Sequence, residues 1–298
     1  MAATIATPAG KRGRTFTRFA WGVLGWNLLV VLWGAYVRAS GSGAGCGGHW
    51  PLCNGEVVPA APQIQTIIEF THRLMSGVAL IAVGALWFWS RRAFAPGHRV
   101  RKAAAWSAIF LIAEAALGAG LVLFDYVGGN ASVGRAVYLS LHLVNTEFLL
   151  AMLALTAWWS RQGAAVWRRS GWLMTALGAA LLVSVTGTIA ALGDTLFPAT
   201  SLAQGLHQDL SAAGSFLLRL RILHPALAIL AGVFFIVVAI RSLRARASRL
   251  AVFVLALAIA QLTAGAVNVL LLAPIWMQIT HLLLADLLWI GLVLLATV

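Results

Sequence analysis

The chain has 298 residues, of which 61% are hydrophobic and only 10% charged, and its formal net charge is +13. This balance excludes an ordinary soluble domain and is typical of an integral membrane protein. The positive charge does not indicate nucleic-acid binding, because that function needs basic residues clustered on one soluble face, whereas here they separate apolar segments.

Eight apolar segments are each about 20 residues long, the length of a helix that crosses about 30 Å of hydrocarbon. They predict transmembrane helices at 19–37, 64–90, 103–125, 136–160, 171–193, 217–240, 250–272 and 277–297. The fold class is therefore expected to be an all-α integral membrane protein. The longest connections are 38–63 and 194–216.

Most basic residues lie in alternate connections between the predicted helices. These are Lys11, Arg12, Arg14, Arg18, Arg91, Arg92, Arg99, Arg101, Lys102, Arg161, Arg168, Arg169, Arg241, Arg244, Arg246 and Arg249. The positive-inside rule then places both termini in the cytoplasm, in a cell (plasma) membrane, and the connection 38–63 on the outer face. The N-terminal segment resembles a signal peptide, but its apolar region is too long and Arg38 interrupts the cleavage region. We expect it to remain as a membrane anchor.

An internal repeat relates the two halves of the chain. The third and seventh helices share a polar residue, a glycine four residues later and a Val-x-Leu ending, in 114–123 and 261–270. The second and sixth helices carry His72 and His224 in corresponding places. The repeat predicts two pseudo-twofold-related four-helix bundles, at 1–160 and 161–298, although the glycines alone also fit simple close packing.

The fourth and eighth helices extend the repeat. His142-Leu and His281-Leu are each followed by an acidic residue five positions after the histidine, Glu147 and Asp286. With His72 and His224 these histidines form a set of four, all in even-numbered helices that begin on the outer side, and therefore at similar depth.

A single histidine in a membrane helix is as often a hydrogen-bonded packing residue as a ligand. Two histidines in each half, on nonadjacent helices, can bind the iron of a porphyrin at both of its axial positions. We predict two haem-iron sites, His72 with His142 and His224 with His281. Glu69-x-x-His72 also occurs in di-iron bundles, which need a second such motif, and a zinc site needs three or four converging ligands.

Five basic residues on the outer side depart from the positive-inside trend. They are Arg38, Arg73, Arg135, Arg219 and Arg221. They are candidate contacts for haem propionates, with snorkelling to lipid headgroups as the alternative.

Cys46 and Cys53 are the two cysteines of the chain, and both lie in the outer connection. A disulfide is the natural expectation on the oxidising side of a membrane. A structural bridge and an exposed, redox-active one both remain open. Metal binding with His49 is a further alternative.

Taken together, these motifs resemble the haem A synthase family, membrane enzymes that oxidise a methyl group of haem O to the formyl group of haem A. The resemblance covers nearly the whole chain. It depends on Glu69-Phe-Thr-His72-Arg73, the loop from Cys46 to Cys53, His142, the segment 193–198, His224-Pro225 and His281.

The resemblance implies that His72 and His142 bind the substrate haem O, that His224 and His281 hold a haem b cofactor, and that Glu69 is catalytic. It also implies haem O synthase and an electron donor or acceptor as partners. Some members carry a second cysteine pair between helices five and six, which this chain lacks between residues 193 and 215.

A non-enzymatic diheme electron carrier or haem-handling protein is the alternative function, since two equivalent bis-histidine sites would suffice for it. The halves are not equivalent, however. Glu69 precedes His72 by three residues, whereas Arg221 precedes His224. A carboxylate beside one haem alone favours chemistry in the N-terminal half and electron transfer in the other. The oligomeric state does not follow from the sequence.

Overall fold

The computed structural model describes residues 11–162, 170–211, 214–244 and 248–298. Within these ranges eight helices are long and apolar enough to cross a membrane, which confirms the predicted all-α membrane fold. The elements are α1 (Lys11–Ala39), a 3₁₀ turn (Ser42–Ala44), α2 (Ile64–Ala93), α3 (Arg99–Leu123), α4 (Val133–Gln162), α5 (Gly171–Leu196), α6 (Leu202–Leu210), α7 (Phe216–Arg221), α8 (Leu223–Arg244), α9 (Ser248–Leu270) and α10 (Ile275–Leu295). Arg168, Arg169 and Arg246 lie outside the described residues.

Two details differ from the predicted helices. The connection 194–216 contains α6, whose first turn is capped because Ser201 Oγ accepts from the Gln204 N–H at 3.2 Å and Gln204 Oε1 accepts from the Thr200 N–H at 2.7 Å. The sixth predicted helix is divided at Ile222 into α7 and α8. Pro225 fits the first turn of α8, where its missing N–H would have no helical partner.

Helix packing follows the internal repeat. In the first half α1, α2, α3 and α4 pack in sequence and α1 closes against α4. In the second half α5, α8, α9 and α10 do the same, with α10 against α5. This order of packing fits the two predicted four-helix bundles, whose arrangement stays a prediction.

The two halves meet where α4 packs against α10, and these two are the most buried of the membrane-length helices. Leu149, Leu150 and Leu153 of α4 and Leu292 of α10 are almost wholly buried in this core. Apolar side chains elsewhere remain exposed on the outer faces, which suits contact with lipid.

The two acidic residues of the repeat lie in this seam between the halves. Glu147 and Asp286 are each 1% exposed and interact electrostatically. Ser184 Oγ donates to Glu147 Oε1 at 3.2 Å, and Trp289 Nε1 donates to the backbone carbonyl of Glu147 at 2.7 Å. The repeat thus brings both carboxyl groups to the seam, away from the histidine pairs.

Candidate functional site

In the first half, each candidate histidine lies opposite a glycine of the neighbouring helix. A Cβ atom on Gly34 of α1 would lie 3.0 Å from His72 Cε1, and one on Gly118 of α3 would lie 3.8 Å from His142 Nε2. A glycine lets an imidazole approach the facing helix more closely than any other residue would.

The second half repeats this arrangement. A Cβ atom on Gly187 of α5 would lie 3.0 Å from His224 Cε1, and one on Gly265 of α9 would lie 3.1 Å from His281 Cε1. Gly118 and Gly265 were part of the repeat found in the sequence. Gly34 and Gly187 were not identified there.

The histidines interact electrostatically in the predicted pairs, His72 with His142 and His281 with His224. In the described part of the chain, no group of three or more histidine, cysteine or acidic side chains is placed to share one metal ion. The geometry therefore offers two separate histidine pairs, and their roles as haem ligands stay predictions.

Polar side chains beside the imidazoles differ between the halves. Glu114 Oε1 lies 3.2 Å from His142 Nδ1, whereas Gln261 Nε2 lies 3.3 Å from His281 Nε2. Thr186 Oγ1 lies 3.1 Å from His224 Nδ1. Glu114 and Gln261 are the polar residues that open the repeated motif, so the sequence contained a signal for both positions but did not show that they contact histidines.

Glu69 lies on α2 and is 4% exposed. Arg73 Nη2 lies 2.5 Å from Glu69 Oε1, and the backbone N–H of Cys46 donates to Glu69 Oε2 at 2.9 Å. Glu69 and His72 were expected to face the same space. In the structure the polar contacts described for Glu69 go to Arg73 and the outer loop, while His72 lies against Gly34.

The loop that contains Cys46 and Cys53 is fastened to α2 around Glu69. Thr66 Oγ1 donates to the Gly45 carbonyl at 2.7 Å, and Arg73 donates to the carbonyls of His49 and Leu52 at 2.7 and 2.6 Å. A Cβ atom on Gly45 would lie 2.4 Å from the backbone oxygen of Gln65, so this close approach requires glycine. The loop therefore places backbone donors over the outer end of α2.

A disulfide joins Cys46 to Cys53, with their Cα atoms 4.4 Å apart. The two residues are 0% and 1% exposed, so the alternative of an exposed bridge is wrong, and its redox activity stays a prediction. The loop packs the bridge against α2 and thereby covers it. The alternative of metal binding with His49 is also wrong, because the two sulfur atoms are bonded to each other.

We expect the Cys46–Cys53 bridge to resist reduction in the folded protein because the loop covers both residues. Mass spectrometry of protein treated with dithiothreitol and an alkylating reagent before unfolding should show a linked peptide. The same treatment after unfolding is the control and should alkylate both cysteines. Two alkylated cysteines in the folded protein after dithiothreitol treatment would contradict the prediction.

Arg38 joins the two halves of the chain. Its guanidinium donates to the Ala191 carbonyl and to Thr195 Oγ1, both at 2.7 Å, and to Gln278 Oε1 at 3.1 Å. These partners lie on α5 and α10, whereas Arg38 lies on α1. Arg38 is therefore already fixed between the halves, and a propionate contact for it stays a prediction.

The other candidate arginines also have partners at the outer ends of helices. Arg135 donates to two backbone carbonyls of the connection before α4, at 2.6 and 2.8 Å. Arg221 forms ion pairs with Asp194 at 3.0 Å and Asp209 at 2.7 Å. Arg219 lies on the same short helix as Arg221. Asp194 and Asp209 were not predicted as partners, because they come from separate elements, α5 and α6.

We expect Gly187→Ala to disturb His224, because the added Cβ would lie 3.0 Å from the imidazole. Gly178→Ala on the same helix is the matched control, since a Cβ there would have no atom within 4 Å. Absorption spectra of the purified variants, scaled to protein, should show reduced haem content for Gly187→Ala alone. Equal haem content in both variants would show that the glycine does not shape this site.

A sequence model of the COX15-CtaA family, described as cytochrome oxidase assembly protein, matches residues 17–293. A Thermus thermophilus protein named protoheme IX farnesyltransferase is 48% identical over 302 aligned residues, covering 98% of this chain and 49% of the relative. The chain thus spans about half the length of this curated relative.

Shorter matches join the chain to proteins named heme A synthase. The protein of Alkalihalophilus pseudofirmus is 47% identical over 100 residues, which are 33% of each chain. That of Halalkalibacterium halodurans is 37% identical over 131 residues, which are 43% of this chain and 42% of the relative.

Proposed function

We propose that this chain, which belongs to the COX15-CtaA family of cytochrome oxidase assembly proteins, is a haem A synthase that oxidises the C8 methyl group of haem O to a formyl group. Relatives named heme A synthase support this proposal. The observation that carries it is the pair of histidine sites, each built on two glycine–histidine contacts, with Glu114 beside His142 and Gln261 beside His281. Glu69 lies three residues before His72 on α2.

The residues of both sites fit a haem. Three of the imidazoles, those of His72, His224 and His281, face a glycine whose Cβ would lie 3.0 to 3.1 Å away and would crowd the ring. The Nδ1 atoms of His72 and His281 have no hydrogen-bond partner among the described residues. We assign His72 and His142 to haem O and His224 and His281 to haem b. When bound, haem b supplies one-electron redox chemistry.

The overall reaction fixes what the protein must handle. With water as the oxygen source, which is part of our proposal, conversion of a methyl group to a formyl group releases four protons and four electrons by atom balance. We propose that the electrons leave to an acceptor by way of the C-terminal half. The released protons need a nearby base, so the oxidation should take place at a site that contains a carboxylate.

Glu69 is our candidate for that base. Its carboxylate is buried, yet Arg73 and the Cys46 N–H hold both of its oxygens. Such a fixed carboxylate can stabilise positive charge that develops on the substrate, or accept a proton from it. The Cys loop would keep bulk water away from this end of the site.

The likeness to a protein named protoheme IX farnesyltransferase suggests the source of the substrate. This chain matches only half of that relative, so the other half is available for a second activity. We propose that haem O synthase, which farnesylates protohaem, passes its product to this chain within the bilayer. We place the protein in the plasma membrane with both termini cytoplasmic and the Cys loop on the outer face, in accordance with its basic connections.

A haem O conversion assay tests the function. The chain should be expressed in a bacterium that makes haem O but no haem A, and the membrane haems should be separated chromatographically. We expect haem A in the presence of the chain and none with the empty vector. A protein that binds haem but yields no haem A or hydroxylated intermediate would instead be the diheme carrier, which the similar glycine–histidine contacts of both halves also suit.

A further inference from the structure

We propose that Glu114 is a positioning residue for His142 that makes the N-terminal haem harder to reduce than the C-terminal haem, where Gln261 takes its place. This inference rests on the proposed function, in which His142 and His281 are axial haem ligands. The sequence indicates only that this carboxylate belongs to the internal repeat.

The geometry separates the two nitrogen atoms of the His142 ring. Glu114 and Gly118 are one turn apart on α3 and therefore on the same face. Glu114 Oε1 lies 3.2 Å from Nδ1, while a Cβ atom on Gly118 would lie 3.8 Å from Nε2. The carboxylate thus approaches one nitrogen and the open space beside glycine lies at the other.

This arrangement selects one tautomer of the imidazole. An ionised carboxylate only accepts hydrogen bonds, so Nδ1 carries the hydrogen and Nε2 keeps its lone pair for a metal. The carboxylate lies off the line of the N–H bond in the structure.

Glu114 is itself fixed by the helix that carries His142. Asn145 Nδ2 donates to Glu114 Oε2 at 2.5 Å and to the Phe110 carbonyl at 2.9 Å. Thr146 Oγ1 donates to Glu114 Oε1. Asn145 and Thr146 lie one turn after His142 on α4, so one turn of helix holds both the imidazole and the carboxylate that orients it.

The C-terminal half has a neutral group at the corresponding position. Gln261 corresponds to Glu114 in the repeat, but its Nε2 lies 3.3 Å from His281 Nε2, the opposite ring nitrogen from the one that Glu114 approaches on His142. His281 Nδ1 has no hydrogen-bond partner among the described residues. Glu114 also lies within electrostatic range of His72. The negative charge of Glu114 therefore acts on both proposed ligands of one haem, whereas Gln261 brings no charge to the other.

A charged acceptor at the outer nitrogen makes an imidazole a stronger electron donor to iron. Stronger donation stabilises Fe(III) relative to Fe(II), because the oxidised ion carries one more positive charge. Hydrogen bonding around an axial ligand is one of the ways in which proteins set haem potentials. The halves should therefore differ in the potential of their one-electron Fe(III)/Fe(II) couple.

Reciprocal variants test this inference. Glu114→Gln keeps the size of the side chain and removes its charge, and Gln261→Glu introduces the charge in the other half. Both variants and the unchanged protein would be supplied with haemin to fill the sites and titrated by optical redox potentiometry. His142→Ala and His281→Ala, titrated in parallel, assign each spectral component to its half.

We expect Glu114→Gln to raise the equilibrium constant for reduction of the N-terminal component about tenfold, which is about 59 mV for one electron. The reduction potential of the C-terminal component should not change, and the presence of this component also shows that the variant is folded. Gln261→Glu should shift the C-terminal component in the opposite direction.

An unshifted N-terminal potential in a haem-loaded Glu114→Gln protein would overturn the proposal. If that variant does not bind haem, an unshifted C-terminal potential in Gln261→Glu would overturn it instead. A purely structural role predicts changes in haem content without a shift in potential. Failure of the proposed function is distinguishable, because the haem O conversion assay would then yield no haem A while the Glu114→Gln potential would still shift.

Discussion

Glu69→Gln should lower the rate of haem A formation by about a hundredfold or more while leaving both haems bound. Glutamine keeps the size of the side chain and an oxygen that can accept from the Cys46 N–H, which lies 2.9 Å from Glu69 Oε2. It removes the charge and the ability to take a proton. The variant should accumulate haem O or a hydroxylated intermediate in place of haem A.

Arg73→Gln is the control that separates catalysis from the ion pair. It breaks the same 2.5 Å contact but keeps the carboxylate. If Glu69 serves only to pair with Arg73 or to fix the loop, the two variants should lose haem to a similar extent. Near-normal haem A formation by Glu69→Gln would show that this carboxylate has no catalytic part.

His224→Ala and His281→Ala should each abolish the haem b spectrum, because each removes one axial bond from the cofactor half. The protein should still insert, since the apolar surfaces of its helices remain. His72→Ala and His142→Ala should instead affect the N-terminal haem. Optical spectra of the four purified variants provide the measurement.

Loss of the same haem from all four variants, or from none, would contradict the assignment of two sites. His98→Ala is a suitable control, because His98 lies at the start of α3, where its Nδ1 accepts from the Val100 N–H at 3.2 Å. That variant should keep both haems.

The transmembrane architecture was predictable because it follows from a strong physical requirement. A helix in lipid must be long and apolar, and the eight segments satisfied this requirement over their whole length. Helix ends were less predictable, since α1 begins at Lys11 rather than at residue 19. The capping residues Ser201 and Gln204 were the signal for α6, and Pro225 was the signal for the break at Ile222. Both signals lay next to stronger apolar patterns.

The direction of Glu69 shows why side-chain contacts were harder to predict. Residues three apart on a helix differ by about 60° in direction. That angle is small enough to suggest a shared space, yet it allows Glu69 to bind the outer loop while His72 lies against α1. The loop contact depends on the backbone of Cys46, which has no signature in the sequence.

Glu114 illustrates the opposite case, in which the pattern was visible and its meaning was not. Its spacing from Gly118 matched that of Gln261 from Gly265. The spacing of residues within one helix does not determine which neighbouring helix their side chains contact. The contacts with His142 and His281 depend on the packing of α3 against α4 and of α9 against α10.

The most direct test of two unlike haem sites is to identify the pigments of the purified protein. The chain should be produced together with a haem O synthase, and its haems extracted and separated chromatographically. The account predicts haem b together with haem O or haem A, and loss of haem b alone in His281→Ala. Haem b as the sole pigment of both sites would contradict a substrate haem in the N-terminal half.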